Sequence, residues 1–408
     1  MEILFWFLAA FLLLQGILGV VEGKRYLGYT RRYLETSQAC WTPPASVILP
    51  CKGLDEGLGL NVQAILSQDY PEYEVIIVTA RSDDEAIPIL KEQIGQSLER
   101  RIKIVIAGTA EGRGEKVNNL IEAVSHAAPE SEVLVFTDSD CRPHPTWLRE
   151  LIAPLSAPSI GVSTGYRWYF PAKGNFGGVL RSAWNASIAT MLGNHDRNFC
   201  WGGSMAIRKE AFKRAGVLDW WKHSISDDYS MANAVRAAGL GIHYEPRCLI
   251  GSHGSISLYE FLHWATRQIV LTRVYSPRLW NLAFLVQIPF VACWWWIVGD
   301  SAIGIKRAVE AGLPSYYFSL GASLLLVLLV YALSVVRGFY RLKAILLIRA
   351  DSRSAILKFA WAYVALAPLI STVTAYTLFA SLLTRCLEWR GVKYELISPQ
   401  QVRVIRNG

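Results

Sequence analysis

Four long apolar runs constrain this chain more than any other feature. The first, Ile3 to Val21, carries no charge and is long enough to cross a bilayer as a helix. In lipid each backbone polar group must be satisfied within its own segment, so a lone run of this kind reads as a helix. Lys24, Arg25, Arg31 and Arg32 follow directly, which places the next segment in the cytoplasm by the positive-inside rule. Glu2 stands where a signal peptide would be basic, and no small-residue cleavage site follows. The remaining runs are Leu282–Val298, Tyr316–Val336 and Ala355–Leu383, the last interrupted by Pro368. One crossing takes about 20 residues, so the last run holds one tilted or kinked helix, or a segment that re-enters. Arg337, Arg341, Lys343, Arg349, Arg353 and Lys358 lie between the last two runs and are expected in a cytoplasmic loop against the membrane. Counting spans puts the tail outside, whereas Arg385, Arg390, Lys393, Arg403 and Arg406 argue for inside.

Composition agrees with a membrane protein that carries a soluble domain: 52% of residues are hydrophobic and only 18% charged. The net charge of +8 does not point to nucleic acid, because the positive residues cluster beside the apolar runs. Seven cysteines are scattered singly with no Cys-x-x-Cys, which disfavours a zinc site or a disulfide framework and favours a reducing compartment.

Between the first and second runs, strand and helix signals alternate. Ala45–Leu49, Tyr73–Thr79, Ile102–Ile106 and Val133–Phe136 read as strands. Leu60–Ser67, Ile87–Gln93 and Val117–His126 read as helices. This alternation predicts a parallel sheet covered on both faces, with ligands bound beyond the carboxyl ends of its strands.

The polar residues after those strands are the candidates for chemistry. Asp138-Ser139-Asp140 follows a buried strand. It can be an ordinary turn, or two carboxylates holding a divalent cation and through it a diphosphate. Asp83 and Asp84 either cap a helix or accept from a uracil or ribose. Lys116 opens a helix after a Gly-rich loop, where N–H groups favour anions. Gly202, Gly203 and Ser204 form either a turn into a strand or a backbone wall shaped around a sugar. Asp227 and Asp228 are either helix caps or acid/base groups. Ser257–Val274 reads as an amphipathic helix at the membrane interface, and its Arg267 or Arg273 could neutralise a leaving diphosphate.

Taken in order, these pieces resemble the inverting family 2-type glycosyltransferases of GT-A fold, and their ceramide glucosyltransferase-like branch in particular. The resemblance runs from about residue 44 to residue 275. Its pieces are Leu49-Pro50-Cys51-Lys52-Gly53, Gln68–Val75 followed by Asp83-Asp84, Lys116-Val117-Asn118-Asn119-Leu120, Asp138-Ser139-Asp140 and Ser226-Asp227-Asp228-Tyr229. Glu388–Tyr394 is similar to a Trp-Arg-Gly-x-x-Tyr that follows the last span in that branch. One departure is clear: Val270 and Leu271 stand where the family carries Arg and Trp, with Trp264 and Arg273 nearby.

The resemblance implies an α/β GT-A domain with a mixed, Rossmann-like sheet beside transmembrane helices. It implies a UDP-sugar, UDP-glucose first, bound by Pro50, Lys52, Asp83, Asp84, Lys116, Asn118 and Asp138. Mg²⁺ or Mn²⁺ would sit on Asp140 and Asp138, and Asp228 would be the base. Gly202, Gly203, Ser204, Asp227, Arg267, Gln268 and Arg273 would serve the acceptor or the diphosphate. The acceptor would be a lipid hydroxyl, because apolar spans flank the domain. The partners are thus a UDP-sugar, a lipid and the bilayer, and not nucleic acid. The competing readings are a processive polysaccharide synthase and a non-catalytic protein that binds nucleotide-sugar or lipid. The expected division is an anchor (1–22), the catalytic domain (40–256), an interface helix (257–279), a region of about three spans (280–384) and a tail (385–408).

Overall fold

The computed structural model describes residues 2–37, 39–95, 101–172, 175–311 and 314–405. Its centre is a seven-stranded sheet of β1 (Ala45–Pro50), β2 (Tyr73–Thr79), β3 (Arg101–Ile106), β4 (Val133–Thr137), β5 (Ile160–Pro171), β6 (Ser204–Arg208) and β7 (Gly241–Gly254). The spatial order is β3-β2-β1-β4-β6-β5-β7. Strands β1, β2 and β4 are buried along their whole length, as expected for apolar runs covered on both faces. Period-2 alternation divides β4 between two cores. Val133 and Val135 meet Trp147 and Leu151, while Leu134 and Phe136 meet Phe212 and Trp221.

β1 pairs with β2 on one side and β4 on the other, both in parallel. The chain therefore steps from β1 out to β2 and β3 and then crosses back to β4 on the other side of β1, and a crevice opens beyond the carboxyl ends of β1 and β4. Pro50 ends one of those strands, and Asp138 directly follows the other. The strands read from alternation, β1 to β4, are parallel, and the sheet becomes the mixed one implied by the resemblance at β6, which runs antiparallel to both β4 and β5. After β5, the helix Phe176–Ala189 and the following loop bring the chain into β6 from the edge where β5 ended, so its direction reverses. The result is the mixed α/β sheet.

Among the described residues, three helices are long and apolar enough to cross a membrane: Phe5–Glu35, Pro277–Lys306 and Leu320–Ile348. The first continues well past Val21. Tyr29 donates to the backbone oxygen of Tyr244 at 2.6 Å, and Tyr33 is hydrogen-bonded to His243 at 2.9 Å, which fixes this helix to the sheet edge at β7. Arg337, Arg341 and Lys343, expected in a loop, belong instead to the Pro314–Ile348 helix. That helix packs closely on the first. A Cβ at Gly16 would meet Leu333 at 2.7 Å, and one at Gly23 would meet the Arg337 carbonyl oxygen at 3.3 Å.

The last apolar run is broken into Arg353–Lys358, Ala360–Ala365 and the 17-residue helix Ala367–Leu383. Pro368 lies in the first turn of that final helix, where a missing N–H costs nothing. Just before the run, Arg349 donates to Leu249 of β7 at 3.2 Å. Just after it comes an antiparallel sheet of β8 (Cys386–Trp389), β9 (Val392–Ser398) and β10 (Gln401–Ile405). Leu387, Tyr394, Leu396 and Val402 of that sheet pack on Ile225, Val270, Leu271 and Tyr275. Both ends of the run therefore lie beside the large sheet, and the tail is on the sheet's side. The Leu258–Tyr275 helix, capped by Ser257 and Glu260 in a reciprocal capping box, is covered on two faces. Phe261 and Ala265 face one core, while Val270 and Leu271 face the tail.

Candidate functional site

Two loops and two helix starts converge on the crevice. Lys116 lies in the first turn of the Glu115–Ser125 helix. Its ammonium stands 2.7 Å from Asp138 and 3.0 Å from Asp227. Asp227 is only 2% exposed, so its charge depends on that partner. Burial pushes its carboxyl up to about 6, and Asp228 adds to this, against the pull of Lys116. Burial acts downward on Lys116, but Asp138 and Asp227 outweigh it and keep the ammonium protonated well past its ordinary range. Burial acts upward on Asp138, but Lys116 and Arg167 outweigh it and hold that carboxyl low. Glycine at position 202 has a steric reason. A Cβ there would collide with the Asp227 carboxylate and come within 2.7 Å of the Lys116 nitrogen.

Arg167, midway along β5, completes the cluster. It donates to Asp140 at 2.9 Å and reaches Asp138 at 3.4 Å, with its guanidinium 4.8 Å from the Trp201 ring. Asp138, Asp140 and Cys141 bring possible metal donors within 4.8 Å of one another. Burial drives the Cys141 thiol well above its usual range, so the carboxylates alone offer charge. Two carboxylate groups suit a hard divalent cation such as Mg²⁺ or Mn²⁺.

Asp228 behaves differently from Asp227. Ser226 caps the Asp227–Ala237 helix, and Asp228 Oδ1 accepts from the Ser226 hydroxyl at 2.5 Å and from the Tyr229 N–H at 2.7 Å. Its Oδ2 has no partner among the described residues, and Asp228 lines the cavity. The carboxylate is thus oriented by one oxygen and open at the other.

The tail closes over this site. Arg390, in the β8–β9 turn, adopts a left-handed φ of 48° and reaches back across the chain. It donates to the Lys52 carbonyl at 2.5 Å and to both Asp55 oxygens at 2.9 and 3.1 Å. Asp55 in turn accepts from Ser139, between the two acids of the crevice. Arg267 donates to the Glu388 carbonyl at 3.2 Å and lies 5.2 Å from the Trp389 ring. One cavity of about 1820 Å³ joins Lys116, Asp138, Asp140, Arg167, Asp228, Arg267 and Arg390 to the membrane helices, where Gly19, Phe290, Arg337 and Ile370 also line it.

The family model for glycosyl transferase family 21 matches residues 4–402. The chain belongs to that family. The match takes in the membrane helices and the tail sheet as well as the large sheet, so all three are parts of the family's fold. Ceramide glucosyltransferase 1 of Caenorhabditis elegans is 22% identical over 241 residues, covering 58% of this chain and 51% of that protein. Ceramide glucosyltransferase 3 of the same organism is 29% identical, covering 58% of this chain and 52% of the other. The chain thus spans about half the length of these curated relatives. Glycosyltransferase AglE of Haloferax volcanii is 24% identical over 260 residues, covering 60% of this chain and 83% of that one. A solved structure of the mannosyltransferase PcManGT from Pyrobaculum calidifontis, in complex with GDP-Man and Mn²⁺, aligns over 92% of this chain and 98% of that one, at 16% identity and a TM-score of 0.44.

Of the residues singled out by sequence, Pro50, Lys52, Lys116, Asp138, Asp140, Gly202, Asp227, Asp228, Arg267 and Gln268 line the cavity. Six others are placed elsewhere. Asp83 pairs with Arg81 on the surface at 2.5 Å. Asp84 accepts from the Gly53 and Ala86 N–H groups, each at 2.9 Å, and so shapes the Lys52 loop from behind. Asn118 points its amide at the Ala107 carbonyl, 3.3 Å away. Gly203 packs on the Trp201 ring, and Ser204 is buried with its hydroxyl accepting from Trp147 at 2.8 Å. Arg273, a turn and a half beyond Arg267, donates to the Ser381 carbonyl and lies over Trp280. Trp264 does line the cavity, whereas Val270 is buried under the tail.

Proposed function

We propose that this chain is a multi-pass membrane glycosyltransferase that moves a hexose from a UDP-sugar, UDP-glucose first, to the hydroxyl of a lipid. The carrying observation is the open carboxylate of Asp228 in one cavity with the Lys116–Asp138 pair and the apolar helices. Asp228 takes the proton from the acceptor hydroxyl as its oxygen attacks the anomeric carbon. The bond from that carbon to the diphosphate breaks, and its electron pair leaves with UDP. A single displacement of this kind inverts the anomeric carbon. Pro50, Lys52 and Asp138 receive the nucleotide, and Arg267 and Arg390 offset charge on the departing diphosphate. Asp138 and Asp140 fit a divalent cation, which when bound neutralises charge on the same leaving group. The basic residues in the last third of the first helix, Lys24 to Arg32, support a cytoplasmic sheet domain. The test is to incubate membranes holding the full chain with radiolabelled UDP-sugars and separate the lipids by chromatography. One sugar per lipid is expected. Label in long polymer, or none in the lipid fraction, would overturn this reading.

A further inference from the structure

The membrane end of the cavity carries a second cationic cluster that the transfer step does not use. Ser334, Arg337 and Arg341 recur at i, i+3 and i+7, so they share one face of the Pro314–Ile348 helix, and all three line the cavity. Arg341 is only 7% exposed. Among the described residues no hydrogen bond or ion pair engages either guanidinium, and the Nε of each is buried without a partner. Glu22 acts on Arg337 only from beyond ion-pair distance. Glu22 is held by Arg25 at 2.7 Å, and Arg25 also donates to the Thr190 carbonyl at 2.9 Å. Gly19 provides the space: a Cβ there would meet the Arg337 side chain at 3.1 Å.

Two unpaired arginines inside a helix bundle oppose folding unless something anionic joins them. The cavity they line is also lined by apolar Leu282, Ala283, Val286, Phe290 and Ile370, with Gln287, Ser371 and Thr374 among them. A ligand that satisfies both features has an anionic head and an alkyl body. Guanidinium groups bind phosphate through paired N–H donors, and do so better than lysine does.

We infer that Arg337 and Arg341 form a phosphate-binding site for an anionic lipid at the membrane end of this cavity. The inference goes beyond the lipid-acceptor reading above, since the phosphate-bearing lipid it names need not be the one that receives the sugar. Its test reads binding alone, with no sugar donor present, so its failure is separable from failure of the transferase assignment.

The experiment measures binding of fluorescent phosphatidic acid and of fluorescent diacylglycerol to the full-length protein in neutral detergent. Wild type is expected to bind phosphatidic acid at least ten-fold more tightly. The double variant R337Q/R341Q should bind the two lipids equally, and R337K/R341K should recover part of the preference. UDP binding by each variant confirms that the sheet domain is folded. Equal binding of both lipids by wild type, or an intact preference in R337Q/R341Q, would overturn the inference. So would displacement of phosphatidic acid by inorganic phosphate at equal concentration, which would assign the site to a free anion.

Discussion

The two ends of the cavity handle charge in opposite ways. At the sheet end, carboxylates and cations are interleaved: Lys116 serves Asp138 and Asp227, Arg167 serves Asp138 and Asp140, and Arg390 serves Asp55. At the membrane end, Arg337 and Arg341 make no ion pair among the described residues, and the Nε of each is buried without a partner. A balanced network is stable empty, and its charges are oriented before any ligand arrives. An unbalanced pair is stable only when filled. The sheet end therefore has the character of a preorganised reaction site, and the membrane end that of a binding site whose ligand completes it.

Substitutions at the two ends should accordingly change stability in opposite directions. The larger effect belongs to Lys116→Met, which leaves Asp138 and Asp227 without their shared cation. Loss of about 3–5 kcal/mol is expected from stranding buried charge in this way. It would be read as a clearly lower midpoint for thermal unfolding of the purified chain. An unchanged midpoint would mean that the network does not hold the site together. The smaller effect belongs to Arg341→Gln, measured after delipidation in neutral detergent. Removing an unpaired buried cation should raise stability, by on the order of 1 kcal/mol. Added phosphatidic acid should then raise the wild-type midpoint and leave the variant's unmoved. A variant less stable than wild type without lipid would show that Arg341 has a partner in the protein, and would collapse the contrast between the two ends.

The parts of the site legible in the sequence are those encoded by short stretches at element ends. Asp138-Ser139-Asp140 follows an apolar strand, Lys116 opens a helix, and Ser226-Asp227-Asp228 caps one, so local pattern marks each. Asp83-Asp84 carries the same local signal one strand away, after β2; neither lines the cavity, and Asp84 instead holds the Lys52 loop through the Gly53 N–H. Arg167 gives no local signal at all. It is one residue of a long strand, and only the pairing of β5 with β6 and β7 aims it at Asp138 and Asp140. Arg390 belongs to a motif noticed for its resemblance, but its role depends on a tail that folds back over residues 52 and 55. Likewise the basic residues 337–343 looked like loop punctuation, because a charge inside an apolar helix is costly unless a cavity receives it. The parallel strands were readable from alternation. The reversal at β6 was not, since direction depends on which edge the chain returns from.

Asp228, open to the cavity at one oxygen and held at the other, is the proposed base for sugar transfer to a lipid. The most direct measurement compares wild type with Asp228→Asn in the same bilayers, following lipid-linked radiolabel and UDP binding together. The substitution keeps the size of the side chain and removes its basicity. Transfer should fall by at least about 100-fold, the lower end of what general-base catalysis contributes, while UDP binding stays within about two-fold. Transfer at the wild-type rate would contradict the assignment.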